Sequence, residues 1–268
     1  MSAAMTGALR GVAQSRWVER LTPVAAIAVV LGAWQLSGLF LNPILISTPG
    51  EVAGDLWTLF STGTILSPLA ESLEEMVIGG VAGIAAGIAI GVLMGAFVVV
   101  DKVLGPFVNF FNATPLVVII PLVIIWVGLG QTARLLFIFL IALWPVLLNT
   151  VAGIRNVDRG YVDVGVAFGL SRRDILWRIM VPAAIPYVLA GARISAGLAI
   201  IGMIVSEMEV SLTGLGYLLI TYGNSFLTGK LLATVVVASC FGVGNVLLLQ
   251  WIQGTFFPWI RASAAAQE

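Results

Sequence analysis

Asp163-Val164-Gly165-Val166-Ala167-Phe168-Gly169, followed by Ile179-Met180-Val181-Pro182, lies inside a polar island, Arg155 to Pro182, that separates two long apolar stretches. The island reads as two short helices joined by a tight turn. Asp158 is placed to cap the first, and Gly169 to end it, because a glycine past a helix C-terminus takes the left-handed conformation without a Cβ penalty. Ser171 opens the second with Asp174 at capping-box spacing, and Pro182 and Pro186 stand where that helix would stop and an apolar segment begin. On the first helix Tyr161, Val164, Gly165 and Phe168 fall on one face at i, i+3, i+4 and i+7, with Gly165 allowing close approach of a partner. Such a stripe either packs on the chain's own bundle or occupies a groove on another protein. The stripe alone does not separate the two.

The sequence around the island is that of an all-α integral membrane protein. Sixty percent of residues are apolar, 10% are charged, and mean hydropathy is +1.08, against roughly 25% charged in soluble domains. Six segments approach or exceed the roughly 20 residues that a bilayer core requires: Leu21–Leu41, Ser72–Val100, Leu104–Leu129, Thr132–Ile154, Ala183–Met208 and Leu231–Gln253. Pro106, Pro115 and Pro121 interrupt the third, which is expected to begin along the interface and kink before spanning.

Basic residues set the orientation. With an even number of spans and the island inside, Arg10, Arg16, Arg20, Lys102, Arg155, Arg159, Arg172, Arg173, Arg178 and Arg261 face the cytoplasm and only Arg134 and Lys230 face out. That asymmetry is a strong positive-inside bias and puts both termini in the cytoplasm. Glu51, Asp55, Glu71, Glu74, Glu75, Glu207 and Glu209 fall on or near the outer side. The apolar run after the first three arginines is about as long as a span and lacks a small-x-small cleavage site, so it reads as an anchor, not an export signal.

The organisation is a cytoplasmic segment 1–20, a first span 21–41, an extracytoplasmic amphipathic segment 42–64, a core 65–254 containing the loop 155–182, and a cytoplasmic tail 255–268 of which Ala262–Glu268 is expected to fray. In the amphipathic segment Thr48-Pro49-Gly50-Glu51 reads as a capping box with proline at the first helical position, and Val52, Leu56, Leu59 and Phe60 recur on one face. Gly79, Gly83, Gly87, Gly91 and Gly95 form a strict four-residue row, which lets another helix approach closely. The row does not say whether that helix belongs to this chain or to a second copy.

Bond-making chemistry finds no support. Histidine is absent, the single cysteine, Cys240, precludes an intrachain disulfide or zinc cluster, and there is no phosphate-binding Gly-x-x-x-x-Gly-Lys-Ser/Thr run. A nucleotide-driven process would need another subunit, and nothing suggests a resident metal, a cofactor or a nucleic-acid partner.

The island resembles the cytoplasmic loop of bacterial ABC importer permeases, whose motif runs Glu-Ala-Ala, three residues, Gly, nine residues, Ile, one residue, Leu-Pro. Gly169, Ile179 and Pro182 match its spacing; Asp163 stands for Glu, Val164-Gly165 for Ala-Ala and Val181 for Leu. Pro121 to Gly130, Trp144 to Thr150, Ser206-Glu207-Met208 and Gly214-Leu215-Gly216 look like the nitrate/sulfonate/taurine branch of the type I class. The resemblance covers roughly residues 65 to 258. It implies six transmembrane helices with cytoplasmic coupling helices, and a second permease copy as a homodimer in the inner membrane. It also implies two ATPase subunits that hold ATP and Mg, a solute-binding protein, and a small anionic solute such as a sulfonate, nitrate or carboxylate. On this reading Tyr161, Asp163, Val164, Gly165, Phe168, Gly169, Ile179 and Pro182 contact the ATPase. Permeases for methionine, phosphonate or osmolytes are the alternative within the class, and a secondary transporter lies outside it.

Two path features follow. Glu207 and Glu209 precede Ser211-Leu212-Thr213-Gly214-Leu215-Gly216, whose glycines are expected to turn the chain back into the outer half of the bilayer as a gate; the other reading is a plain loop. Arg193 lies ten residues into the fifth span, near the bilayer midplane, where a charge must face the bundle interior and be paired or hydrated. It either attracts an anionic solute or ties helices together through carbonyls, Asn112 or Asn149.

Overall fold

The computed structural model describes residues 16–38, 40, 42 and 46–256. The segment 1–15, Leu41 at the end of the first expected span, and the tail 257–268 with Arg261 lie outside the described residues. Among the described residues every regular element is helical. The chain divides into two compact units, Met1–Thr62 with Tyr222–Ala233, and Gly63–Thr221 with Thr234–Glu268.

In the first unit α1 spans Arg16–Ser37 and α2 Pro49–Ser61. The capping box forms as expected: the Glu51 N–H donates to Thr48 Oγ1 at 3.4 Å and the Thr48 N–H donates to Glu51 Oε2 at 2.9 Å, with Pro49 in the first turn. Val52 and Leu59 are buried and Leu56 half-buried, but Phe60 at the edge of that face is exposed. Two bonds tie α1 to the start of α2. Trp34 Nε1 donates to the Ser47 carbonyl at 3.0 Å and the Gly50 N–H donates to Gln35 Oε1 at 3.2 Å.

The second unit is built on α3 (Leu66–Ala96), α4 (Val98–Ala113), a 3₁₀ turn (Leu116–Ile119), α5 (Ile120–Val127) and α6 (Gln131–Arg155). After these come α7 (Arg159–Ala167), α8 (Arg172–Ile175), a π-helical turn (Leu176–Met180) and α9 (Val181–Val210). The helices α10 (Leu215–Asn224) and α11 (Thr228–Phe256) close the described chain.

The glycine row answers its own question: it meets a helix of the same chain. A Cβ on Gly79, Gly83, Gly87, Gly91 or Gly95 would lie 2.5–2.8 Å from an atom of Ile138, Phe139, Val146, Thr150 or Ile154. The two helices run parallel, and the row on α3 steps turn for turn with Ile138, Ala142, Val146, Thr150 and Ile154 on α6, the four-residue ridges of both helices facing each other. Removing the side chains from one helix lets dispersion contacts form with the other's backbone. On an adjoining face α6 packs antiparallel to α9, where the Cβ positions of Gly191 and Gly202 are filled by Asn149 and Ile141. Pro145 interrupts the α6 ladder, and the Val146 N–H donates across to Ser195 Oγ at 3.1 Å.

The third span carries the expected kink, and the helix after the island departs from expectation. Among the described residues four helices are long and apolar enough to cross a membrane, five if one bent pair counts as a span, and the described apolar part of α1, Thr22–Ser37, is short of a full span. The third expected span is two helices meeting at 99°. Thr114 is extended because the ring of Pro115 excludes it from the helical region, and Pro121 sits in the first turn of α5, where its missing N–H is not needed. The helix opened by Ser171 does not stop at Pro182. It runs from Arg172 to Val210, because the wide π turn moves the carbonyls away from the proline ring and Pro182 then falls in the first turn of α9.

Candidate functional site

Two regions at opposite ends of α6 carry the polar features. At the Arg155 end, Asp158 caps α7 by accepting from the Gly160 N–H at 2.8 Å. Gly169, at φ +74°, ends it: the Leu170 N–H donates to the Gly165 carbonyl at 3.0 Å and the Gly169 N–H to the Val166 carbonyl at 2.9 Å, the paired bonds of a Schellman cap. Ser171 Oγ accepts from the Asp174 N–H at 3.1 Å and its hydroxyl donates to Asp174 Oδ2 at 2.5 Å, and Asp174 pairs with Arg178 at 3.2 Å. The loop is thus a preformed pair of helices.

Its apolar stripe divides. Gly165 is buried, and a Cβ there would stand 2.7 Å from Ile179 Cδ1 and 3.3 Å from Ile175 Cγ1, so the close approach it permits is that of its own following helix. Ile179 is half-buried in that contact, whereas Asp163 and Pro182 are exposed. Tyr161, Val164 and Phe168 are 64%, 55% and 83% exposed, and Trp177 in the π turn is also exposed. The internal contact of Gly165 and Ile179 fixes the angle at which three large apolar side chains are presented.

At the other end, roughly 30 Å along α6, lies a buried polar network. Arg134 Nε donates to Glu75 Oε2 at 2.8 Å and Nη2 to Oε1 at 2.5 Å, a forked pair that is 9% and 3% exposed at the side chains. The remaining arm, Nη1, donates to Ser211 Oγ at 2.8 Å. Next to it Ser72 Oγ donates to Glu207 Oε1 at 2.6 Å and accepts from the Leu215 N–H at 2.9 Å, while Glu207 Oε2 accepts from the Gly216 N–H at 2.8 Å. Ser72 of α3, Arg134 of α6 and Glu207 of α9 therefore hold the segment 211–216. Gly214, at φ +93°, has a Cβ position 2.4 Å from Glu207 Cδ, and that of Gly216 is 2.4 Å from the Ile204 carbonyl oxygen, so both must be glycine for the chain to pass over Glu207. The segment is not a plain surface loop, although Leu212 at its tip is 86% exposed.

The sequence placed Glu207 and Glu209 together; the structure buries the first at 1% exposure and leaves the second exposed. From the sequence Arg134 and Glu75 are charges at the outer ends of their spans, with no partner assigned. A signal for them was present: Glu75 stands one turn before Gly79 and Arg134 one turn before Ile138, so the pair continues the α3–α6 ridge by one more step.

Arg193 has neither expected side-chain partner. Its guanidinium donates to Gln253 Oε1 on α11, and Gln253 Nε2 donates to the Leu189 carbonyl at 3.2 Å. Asn149 instead donates to the Pro145 carbonyl of its own helix at 2.8 Å, and Asn112 is exposed on α4. The path residues proposed from sequence thus separate into Glu207, Gly214 and Gly216 within one network, and Arg193, Asn112, Asn149 and Glu209 outside it.

Comparison with known proteins agrees with this architecture. Residues 83–262 match the family described as binding-protein-dependent transport system inner membrane component. The chain is 30% identical over 246 residues to the protein named as aliphatic sulfonates transport permease SsuC of Escherichia coli (strain K12), covering 91% of this chain and 94% of that one. It is 27% identical over 262 residues to the nitrate import permease protein NrtB of Leptolyngbya laminosa, covering 94% and 92%. The crystal structure of an amino acid ABC transporter with histidines superposes with a TM-score of 0.61 at 18% identity, covering 75% of this chain and 98% of that chain, a likeness of fold.

Proposed function

This chain belongs to the family of binding-protein-dependent transport system inner membrane components, and on that premise we propose how its two polar regions divide the work. It is a multi-pass inner-membrane permease of an ABC importer, a transport subunit and not an enzyme, of the branch that includes sulfonate and nitrate permeases. Permeases of this kind work with ATPase subunits and a solute-binding protein.

In our reading the exposed face of Tyr161, Val164 and Phe168 docks in a groove on an ATPase subunit that holds ATP and Mg, with Asp163 and Pro182 at the rim of the contact. Gly165, Gly169 and Ile179 act within the loop by setting the angle of that face. The segment Ser211–Gly216 is the outer gate, held shut by Glu207 and Arg134. What supports the coupling of the two is the 39-residue helical stretch from Arg172 to Val210, which passes through the π turn and has the loop at one end and Glu207 at the other. Such a helix, roughly 60 Å long, transmits a rigid tilt and not a local rearrangement.

Two copies of the permease enclose the path, with both termini and the coupling loop in the cytoplasm, an orientation supported by the ten-to-two distribution of basic residues. The solute is a small anion, a reading supported by the names of the sulfonate and nitrate relatives. Arg193 serves as a tie between α9 and α11 through Gln253, while Asn112, Asn149 and Glu209 carry no role in the gate.

The test is anion-stimulated ATP hydrolysis by the permease reconstituted with its ATPase and solute-binding protein. Phe168→Ala should lose the stimulation while the permease remains folded. Full stimulation in that variant removes the docking assignment, and failure of sulfonates, nitrate and carboxylates to stimulate the unaltered complex removes the anion.

A further inference from the structure

Where α6 ends, it encloses with α3 and α4 a cavity of about 410 Å³. Lys102 and Arg155 line it, Arg155 pairs with Asp101 at 2.5 Å, and the Asn109 amide lies on the same wall, so the cavity carries one positive charge in excess. Its inner wall is apolar, formed by Met94, Leu148 and Val151. Asp101 is half-buried and Arg155 and Lys102 are exposed, so the charges are reachable from the boundary.

The setting of the cavity restricts what can enter. The two spans beside it finish at this level, α3 at Ala96 and α6 at Arg155, which marks one boundary of the membrane. On α4, Val99, Val103, Phe107 and Phe110 recur at i, i+4, i+8 and i+11 and are 58–74% exposed, forming an apolar strip next to the face that carries Lys102 and Asn109. A cationic cavity at a membrane boundary flanked by a bare apolar strip matches the two parts of one ligand. We propose that it binds an acidic phospholipid, with Lys102 and Arg155 at the headgroup phosphate, Asn109 donating to the headgroup, and the acyl chains along Val99, Val103 and Phe107. Basic pockets between transmembrane helices recognise headgroups in this way. One surplus charge, open to water and salt, holds a free anion weakly; a lipid adds the burial of its chains. The inference rests on the chain spanning a membrane, and not on the gate or the transported solute.

The test is native mass spectrometry of the intact importer complex in mild detergent, titrated with phosphatidylglycerol or phosphatidylcholine. The complex should retain phosphatidylglycerol in preference. Lys102→Gln should weaken that retention roughly fivefold, the worth of one basic residue at an anionic membrane surface, and Lys102→Arg should restore it. Phe107→Ser should weaken retention of the lipid through the chains alone, with the elution profile of the complex unchanged. Equal retention of the two lipids, or undiminished retention in Lys102→Gln, overturns the proposal. So does displacement of phosphatidylglycerol by millimolar inorganic phosphate, which would make the ligand a free anion.

Discussion

Replacing Arg134 by methionine should damage this permease far more than replacing both Arg134 and Glu75. In the native chain the forked guanidinium satisfies both oxygens of a carboxylate that is 3% exposed and reaches on to Ser211. Arg134→Met leaves Glu75 buried with no cation, and removing one member of a buried ion pair costs about 3–5 kcal/mol. For a chain of this size that corresponds to a fall in melting temperature of at least about 6 °C. Adding Glu75→Leu removes the stranded charge, and what remains missing is the hydrogen bond to Ser211, worth about 0.5–1.5 kcal/mol. The double variant should therefore recover most of the loss, with a coupling energy of at least about 2 kcal/mol between the two positions. Thermal denaturation of the detergent-solubilised protein, followed by the monodisperse fraction surviving at each temperature, measures all four corners of the cycle. If Arg134→Met melts with the native protein, or if the two single losses simply add, the network is not a buried charge pair and the account of the gate built on it fails.

Other expectations are more local. Gly83→Val should abolish folded protein, because the new Cβ falls 2.5 Å from the Phe139 carbonyl oxygen, whereas Gly197→Ala, with nothing within 4 Å, should leave the yield from size-exclusion chromatography unchanged. Gly214→Ala combines a positive φ with a Cβ 2.4 Å from Glu207, so it should displace the gate segment; a cysteine at Leu212 in that background should label equally fast in nucleotide-free and ATP-trapped complexes, while in the native background the two rates differ. Arg193→Lys keeps the charge but loses the planar fork facing Gln253, and should lower the yield of folded complex as Arg193→Gln does. Transport that survives Lys and fails only with Gln would mean that Arg193 acts on the solute.

The features legible in the sequence were those decided within a few residues or by strict periodicity. Asp158, Gly169 and Ser171 cap the loop helices as their side-chain chemistry dictates, and Thr48 with Glu51 does the same for α2, because capping is settled inside one turn. The four-residue glycine row announced a close helix contact, but its partner is decided by tertiary packing. What was misread depended on neighbours distant in sequence. Pro182 reads as a stop unless the preceding turn widens to a π turn, and nothing local to Leu176–Met180 announces that. Arg193 and Gln253 are 60 residues apart, and nothing local to Gln253, a polar residue near the end of the last span, marks it as the partner. Pro115 announced a kink, but an angle of 99° is set by what α4 and α5 pack against. In the segment proposed as the gate the glycines are legible one by one, whereas the ion pair beside it shows only once the α3–α6 ridge is aligned, since Glu75 and Arg134 seen singly are ordinary charges at helix ends.

The ridge that pairs Glu75 with Arg134 and ends with Gly95 against Ile154 also constrains how such a chain can diverge. One residue inserted in α3 turns everything beyond it by about 100°, which would swing the glycines away from α6 and drive side chains into its backbone. Descendants of this chain should therefore tolerate gain or loss of residues in the linkers but not between positions 75 and 95 or 134 and 154. Within those limits variation should come as reciprocal exchanges, a side chain regained on one helix answered by a smaller one directly across, so that the spacing of the helices is inherited even where the identity of the residues is not.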